Sequence, residues 1–363
     1  MKKMKKKILA AMLAGLFTFG SFAISETQAA TREEISAIKV VTAADFKYWN
    51  DDSQVKEKII NFVEDVTNPV SKNFIPEEDR IATFDMDGTF YCETAPLYFQ
   101  ETMFFHRVLE DKNFDAPKDM VNFAKKIKPK VFNKTGLTEA ESKKYFNYLT
   151  KAYAGMTSEE YRAYVRNFMN DNETGLTNLK RGEAFYLPMV EIISYLSNNG
   201  FAVYVDTACG VDTTRELVGN IIPIRYDRIL GSDFKFTSTN MQKDSPDKHF
   251  YDRRKEKIVI SGEPLTDNGK TRKIFSIINS IGKKPVLAFG NSSGDTSMFE
   301  YTLQDNKYRS EAFYVLCDDT ERELGKPERA EKEKKFAAER GYNTISMRND
   351  WKTIYGDNVK VDR

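Results

Sequence analysis

Four short hydrophobic runs, each followed by polar or acidic residues, dominate the pattern of this chain. They span residues 81–84, 201–205, 285–289 and 312–316. Runs of this length that end at turn residues are typical of buried strands in a parallel sheet. Ligands bind at the carboxyl ends of such strands in open α/β sheets, so the polar residues after each run are the first candidates for a functional site.

Helical patterns fill most of the remaining chain. Apolar residues at spacings of three and four predict a helix from Ser53 to Val66. Between the first and second hydrophobic runs, Thr138 with Glu141 and Thr157 with Glu160 form capping boxes that open further helices. The insertion of these helices between two strands predicts a separate helical unit.

The order of these elements predicts an α/β fold with a Rossmann-like parallel sheet core and an inserted, mainly α-helical cap domain. We assign residues 31–92 and 199–363 to the core domain and residues 93–198 to the cap. A chain of 363 residues is long enough for both units.

The first thirty residues differ in composition from the rest of the chain. A basic start is followed by an apolar run from residue 8 to 24 and then by small polar residues, which is the layout of a secretory signal. A membrane anchor is the alternative, because the run approaches spanning length. We expect residues 1–30 to be a signal peptide cleaved near Ala29 or Ala30, which predicts a periplasmic or secreted protein with no stable membrane association after cleavage.

The charge balance and the scarcity of histidine limit which partners the protein could bind and which reactions it could catalyse. The chain has 55 basic and 54 acidic residues, and its net charge of +1 does not favour binding to nucleic acid. Only two histidines and three cysteines occur, which weighs against a histidine nucleophile, a Ser-His-Asp triad and a histidine-rich zinc site. At most one disulfide could form. Carboxylates must therefore carry any catalysis.

Asp85 and Asp87 come directly after the first predicted strand. At alternate positions their side chains can point to the same side, so that one carboxylate can attack phosphorus while the other manages a proton. Gly88 allows a sharp turn and a close approach to phosphate. A carboxylate attacking a phosphate dianion meets charge repulsion, so the pair predicts a divalent cation, and hard oxygen ligands favour Mg²⁺.

The other strand ends supply complementary groups. Thr207 offers a hydroxyl to a phosphoryl oxygen, and Lys270 offers a positive charge for phosphoryl transfer, with Lys273 as the fallback. Asn291 and Asp295 offer oxygen ligands for a metal ion.

Together these motifs resemble the haloacid dehalogenase (HAD) superfamily of aspartyl-phosphate phosphatases, near its phosphoserine phosphatase-like branch. The resemblance covers essentially the whole chain after the leader, through RIATFDMDGTFYCE, LPMVEIISYLSNNGFAVYVDTACG, PLTDNGKTRKI, PVLAFGNSSGDTSMFE and VLCDDTERE. It implies a helical cap inserted after the first motif.

The resemblance also implies a role for each motif residue. Asp85 would be the nucleophile, and Asp87 would be the general acid and base. Thr207 and Lys270 would bind the phosphoryl group. The metal set would be Asp85, Asp87 through its carbonyl, Asn291 and Asp295, although Asn291 stands where many relatives have Asp.

The sequence offers two candidate residues for substrate selectivity, Glu93 and Arg215. Glu93 could meet a cationic group of the substrate, as an acidic residue near this place does in phosphoserine phosphatases, and Arg215 could contact substrate or phosphate. A structural ion pair is the alternative for each side chain.

The motifs therefore predict a Mg²⁺-dependent phosphomonoester hydrolase that acts on a small phosphorylated metabolite outside the cytoplasm. A phosphotransferase and a phosphonate hydrolase of the same fold are the enzymatic alternatives. The alternative from a different functional class is a binding protein that retains the fold but has no catalytic activity.

Overall fold

The structure, a computed structural model, describes residues 29–94, 98–133, 135–241 and 246–362. The predicted signal peptide lies outside the described residues except for Ala29 and Ala30. Both alanines are buried, and the N–H of Ala30 donates to the carbonyl oxygen of Tyr355 (2.9 Å). Within the described ranges, no helix combines the length and apolar character needed to cross a bilayer.

The described part of the chain contains eight strands. They are β1 (Ile81–Phe84), β2 (Ala202–Gly210), β3 (Ile229–Ser232), β4 (Phe236–Ser238), β5 (Ile258–Ile260), β6 (Leu287–Gly290), β7 (Glu311–Leu316) and β8 (Asn343–Ser346). Six strands form one sheet in the order β3-β2-β1-β6-β7-β8, and every pairing in it is parallel. Strands β4 and β5 form a separate antiparallel hairpin. The predicted α/β class with a Rossmann-like parallel sheet is confirmed.

Helices flank the sheet and fill the insertion between β1 and β2. They are α1 (Arg32–Ser36), α2 (Gln54–Thr67), α3 (Phe99–Leu109), α4 (Lys118–Phe132), α5 (Glu139–Lys151), α6 (Ser158–Phe168), α7 (Leu187–Asn198), α8 (Val211–Val218), α9 (Arg272–Ser276), α10 (Thr296–Leu303), α11 (Pro327–Glu339) and α12 (Met347–Asp350). Ser53 caps α2, and capping boxes open α5 at Thr138 and α6 at Thr157, as the sequence predicts.

The strand order places one crevice at the centre of the sheet. From β1 the chain moves outward through β2 to β3, and from β6 it moves outward on the other side through β7 to β8. The order thus reverses between β1 and β6, and in open α/β sheets ligands bind at the carboxyl ends of the strands at such a switch point.

Stacked phenylalanines fix the central strands next to this crevice. Phe84 and Phe289 are register partners on β1 and β6, and Phe313 is the next partner on β7. Their ring centroids lie 4.2 Å and 4.8 Å apart, with interplanar angles of 8° and 12°. All three rings are fully buried, so the strand ends that follow them are held by dense packing.

Among the inserted helices α3–α6, helix α6 packs against α8, which follows β2. The hydroxyl groups of Tyr161 and Thr213 are 2.7 Å apart, and the Ser158 hydroxyl donates to Asp212 (2.7 Å). Helix α7 is buried along most of its length, and Trp49 Nε1 donates to the carbonyl oxygen of Pro188 (2.9 Å). The predicted boundaries, 31–92 with 199–363 for the core and 93–198 for the cap, stay a prediction.

Candidate active site

The loop after β1 is a tight turn that starts at Asp85. The N–H of Asp85 donates to the carbonyl oxygen of Phe289 (2.9 Å), which extends the strand pairing to this residue. Gly88 has a φ of +78°, a left-handed conformation that favours glycine. A Cβ at Gly88 would also collide with the side chains of Asn291 and Glu93. The turn therefore requires glycine for both its backbone angle and its surroundings.

A buried lysine joins the ends of three strands. Nζ of Lys273 lies 2.7 Å from Oδ1 of Asp85, 2.7 Å from Oδ1 of Asp295 and 2.6 Å from the carbonyl oxygen of Asp206. The ammonium group thus uses all three of its N–H donors. Burial alone would lower the pKa of Lys273, but the charges of Asp295 and Asp85 outweigh it and raise the pKa, so this lysine stays charged.

Asp85 and Asp295 face each other across this lysine. Burial and then the charge of Asp295 raise the pKa of Asp85 to about 7, while Lys273 opposes the shift. Oδ2 of Asp295 accepts from the N–H groups of Asn291 (3.1 Å) and Ser292 (3.0 Å). The loop after β6 therefore holds Asp295 in place and leaves its other oxygen to Lys273.

Asp87 has the character of a proton donor. Its Oδ1 is buried and receives no hydrogen bond from the residues described. Burial, followed by the charges of Asp85, Glu101 and Glu93, raises its pKa well above the ordinary value. A raised pKa favours the protonated form of the carboxyl group, which is the form that a general acid requires.

Thr207 lies at the carboxyl end of the sheet with its hydroxyl available to donate. The residue is almost fully buried, and its Oγ1 accepts from the N–H of Cys209 (3.1 Å). Nδ2 of Asn268 donates to Oδ1 of Asp206 (2.8 Å) and to the carbonyl oxygen of Thr207 (3.0 Å). Asn268 therefore ties the end of β2 to the loop that precedes Lys273.

The structure distinguishes the two lysines of the third motif. Lys270 adopts a left-handed φ of 57° in the loop and is exposed at the rim of the cavity. Lys273 lies in the first turn of α9, which directs it into the interior. The predicted Lys270 thus lines the cavity, but the fallback Lys273 makes the contact with Asp85. This placement favours Lys273 as the lysine next to Asp85, because α9 begins just after Lys270; the role of Lys270 in phosphate binding stays a prediction.

Glu93 and Arg215, the two candidates for substrate contact, both have protein partners. Glu93 is buried, accepts a hydrogen bond from Nδ2 of Asn291 and lies 3.6 Å from Nη1 of Arg329. Arg215 pairs with Asp212 (3.3 Å) on α8 and lines a different depression. Neither side chain lines the cavity at Asp85.

The cavity at the sheet edge has a volume of about 290 Å³. Its floor consists of motif residues, and another part of its wall consists of residues from the segment inserted between β1 and β2, which the sequence did not single out. The lining residues that matter here are the motif residues Asp85, Asp87, Thr207, Lys270, Lys273, Asn291 and Asp295 and, from the inserted segment, Tyr98, Gln100, Glu101 and Phe146. Helical spacing predicts the cap helices but not which of their faces meets the strand ends.

The donor chemistry of the site suits a hard cation. Asp85, Asp295 and Asn291 present carboxylate and amide oxygens at one edge of the sheet, and the carboxyl groups outnumber the buried lysine. Nδ2 of Asn291 is bound to Glu93, so the amide oxygen is the atom left to act as a ligand. Within the described ranges, no group of three or more His, Cys, Asp or Glu side chains is spaced to hold a metal ion, so a site here needs the amide and main-chain oxygens.

The three cysteines are free thiols. Cys92 and Cys209 are buried, and Cys317 is partly exposed. The Sγ atom of Cys209 lies 3.3 Å from Oε1 of Gln100. The structure therefore gives the cysteines no role as a crosslink.

Comparisons with known proteins gave structural neighbours only. No protein-family model matches the chain, and no curated protein matches it. A protein of unknown function from Bordetella pertussis Tohama I matches with 14% identity and a TM-score of 0.46, covering 73% of this chain and 97% of its own.

Two further neighbours have descriptions that name an enzyme class. A phosphoserine phosphohydrolase-like protein from Francisella tularensis subsp. tularensis SCHU S4 has 12% identity, a TM-score of 0.36 and coverages of 65% and 87%. A HAD family hydrolase from Salmonella enterica subsp. enterica serovar Typhi has 12% identity, a TM-score of 0.37 and coverages of 77% and 68%. The neighbours thus include HAD hydrolases, but at these scores they carry no argument about the site, which stands on its own geometry.

Proposed function

We propose that this chain is a Mg²⁺-dependent phosphomonoester hydrolase that works through an aspartyl-phosphate intermediate. The observation that carries the proposal is the set of contacts at Lys273, which lies between Asp85 and Asp295 at the switch point of the sheet. Beside it, Asp87 supplies a buried carboxyl oxygen without a partner among the residues described. The proposed nucleophile Asp85, the proposed acid Asp87 and the ammonium group of Lys273 therefore line one cavity.

In the first step, a carboxylate oxygen of Asp85 attacks phosphorus, and the bond from phosphorus to the alcohol oxygen breaks. Asp87 donates its proton to the departing oxygen, which leaves as an alcohol. The hydroxyl of Thr207 hydrogen-bonds to a phosphoryl oxygen, and the positive charge of Lys273 stabilises the phosphoryl oxygens, whose charge is most exposed in the transition state.

In the second step, water hydrolyses the phosphorylated Asp85. Asp87, now a carboxylate, takes a proton from the water as its oxygen bonds to phosphorus. The bond between Asp85 and phosphorus breaks, inorganic phosphate leaves, and both carboxyl groups return to their starting states. Lys273 remains charged throughout, because Asp85 and Asp295 keep its pKa high.

The residues that would hold Mg²⁺ are Asp85, Asp295, Asn291 and the main-chain carbonyl of Asp87. When bound, the cation supplies positive charge that offsets the repulsion between the Asp85 carboxylate and the phosphate and orients the two groups. Glu93 would act behind these ligands, since its hydrogen bond to Asn291 sets the direction of the amide.

The test compares three forms of the purified chain on aryl and alkyl phosphates, with Mg²⁺ and with EDTA. Wild type should release phosphate with Mg²⁺ and not with EDTA, and Asp85→Asn should be inactive. Asp87→Asn should lose far more activity on an alkyl phosphate than on an aryl phosphate, because an aryl oxide leaves without a proton. Wild type that releases no phosphate with any divalent cation would contradict the proposal.

We also propose that the enzyme acts on a small phosphorylated metabolite outside the cytoplasm, on the basis of the leader-like residues 1–30. The size of the cavity supports a small substrate, since about 290 Å³ lies near the lower end for ligand sites. Expression of the whole chain in a bacterium should yield a periplasmic or secreted protein whose N-terminus lies near Ala30. An unprocessed chain in the cytoplasm would rule out export.

A further inference from the structure

A carboxylate that the reaction steps do not use is buried against the chain that follows the nucleophile loop. Glu323, in the loop between β7 and α11, is fully buried. Its Oε1 accepts from the N–H of Leu324 (2.7 Å) and from the hydroxyl of Thr94. Its Oε2 accepts from the hydroxyl of Tyr355 and, at 3.7 Å, from the thiol of Cys92. The two oxygens therefore meet four donors, the number that a carboxylate can accept.

The four donors around Glu323 are all neutral groups. Burial raises the pKa of the Tyr355 hydroxyl and of the Cys92 thiol, so both groups keep their protons and can donate them. A buried carboxylate that is compensated by neutral donors alone is a poor source of stability. Its directed contacts instead fix the geometry of the groups that it binds.

Two of these donors belong to the residues on either side of Glu93. Cys92 and Thr94 both meet Glu323, whereas the side chain of Glu93 accepts a hydrogen bond from Nδ2 of Asn291. Fixing both neighbours of Glu93 restricts the backbone at this residue, and the backbone angles decide which side-chain rotamers are allowed. Glu323 therefore controls the direction of Glu93 without binding its carboxylate.

The loop that carries Glu323 is closed by its own hydrogen bonds. The N–H of Gly325 donates to the carbonyl oxygen of Asp319 (2.8 Å), and the N–H of Lys326 donates to that of Cys317 (3.1 Å). A Cβ at Gly325 would collide with the main chain of Asp319, so the close approach requires glycine. The loop thus keeps its shape through contacts that do not involve residues 92–94, and it can serve as a fixed support for them.

We propose that Glu323 is a positioning residue for the metal site. It holds residues 92–94 so that Glu93 binds Nδ2 of Asn291, which leaves the amide oxygen of Asn291 to act as a ligand. Glu323 is not a catalytic residue, because it does not line the cavity at Asp85. This role rests on the proposed Mg²⁺-dependent function, and it gives the acidic segment CDDTERE after β7 a part in the site.

The first test measures the binding of Mg²⁺ to the purified chain by calorimetry, without substrate. Thr94→Val and Tyr355→Phe each remove one buried hydroxyl that donates to Glu323, so both should destabilise the protein to a similar extent. Only Thr94 adjoins Glu93. Thr94→Val should therefore weaken Mg²⁺ binding by about tenfold, whereas Tyr355→Phe should weaken it by less than about twofold.

The second test replaces the carboxylate itself. Glu323→Gln keeps the shape of the side chain but turns one acceptor oxygen into an NH₂ group that faces two donors. It should weaken Mg²⁺ binding by about tenfold, and saturating Mg²⁺ should restore kcat on an aryl phosphate because the reacting groups are unchanged. Glu191→Gln, which alters another buried carboxylate on α7 outside the cavity, should keep the Mg²⁺ affinity of wild type.

The outcomes separate this role from the proposed function. If wild type binds Mg²⁺ and either Thr94→Val or Glu323→Gln binds it equally well, the positioning role is overturned and the phosphatase stands. Equal weakening by Thr94→Val and Tyr355→Phe would also overturn it, because general loosening would then explain both. If Glu323→Gln does not fold, the comparison of Thr94→Val with Tyr355→Phe decides. Wild type that neither binds Mg²⁺ nor releases phosphate would contradict the proposed function itself.

Discussion

Replacing Lys273 by methionine should both destabilise the protein and abolish its activity. Lys273 is 2% exposed and binds two carboxylates and one carbonyl oxygen at 2.6–2.7 Å. Each charge pair attracts by about 6 kcal/mol at an effective dielectric constant of about 20, although desolvation offsets most of this. Methionine keeps the length of the side chain but leaves Asp85 and Asp295 buried without a counter-ion. Breaking a buried pair in this way costs about 3–5 kcal/mol.

The assay is urea unfolding in EDTA, with Lys270→Met as the matched control. Lys273→Met should lower the free energy of unfolding by about 3–5 kcal/mol, whereas Lys270→Met, at an exposed position, should change it by about 0.5 kcal/mol or less. Activity on an aryl phosphate should fall by about 100-fold or more for Lys273→Met, since a charge that stabilises the transition state is lost. Equal losses of stability for the two variants, or an active Lys273→Met enzyme, would refute the assignment.

Three further predictions concern Gly88 and Glu93 near the site and Glu191, a buried acid on α7. Gly88→Ala should fold but lose most of its activity on an aryl phosphate, because a Cβ there collides with Asn291 and Glu93; full activity would contradict this geometry. Glu93→Gln should weaken Mg²⁺ binding by about tenfold or more in calorimetry, whereas Glu333→Gln, which alters the other acidic partner of the same arginine, should not; equal affinities would exclude Glu93 from the metal site. Glu191 is buried on α7, and burial raises its pKa to about 7, against hydrogen bonds from two main-chain N–H groups. The native state then binds more protons than the unfolded state between about pH 4.5 and 7, so the stability of wild type relative to Glu191→Gln should fall by up to about 3 kcal/mol as the pH rises from about 5 to 8 in urea unfolding. A difference that does not depend on pH would contradict the raised pKa.

The parallel sheet could be predicted where its strands are short hydrophobic runs. β1 begins and ends where the pattern places it, and β2, β6 and β7 lie within a few residues of their predicted positions. β3 and β8 were missed for a physical reason. β3 has only two apolar residues, and β8 is an edge strand with a single buried residue, so neither has a hydrophobic run to reveal it.

The site could be predicted only where local sequence determines geometry. Asp85 and Asp87 follow a strand, so their place at the sheet edge is determined by the strand. The choice between Lys270 and Lys273 depends on the left-handed backbone at Lys270 and on where α9 begins, and neither follows from residue types. Glu101 comes to the cavity because the start of α3 contacts the carboxyl end of β2, a long-range contact that local patterns do not encode.

The most direct test of the account is to trap the phosphorylated enzyme. Wild type is mixed with an aryl phosphate and Mg²⁺, quenched in acid and reduced with borohydride, which converts an aspartyl phosphate to homoserine that mass spectrometry can locate. We predict homoserine at position 85 and at no other aspartate, and none after reaction of Asp85→Asn. Turnover of the substrate without modification at position 85, or with modification at another residue, would contradict Asp85 as the nucleophile.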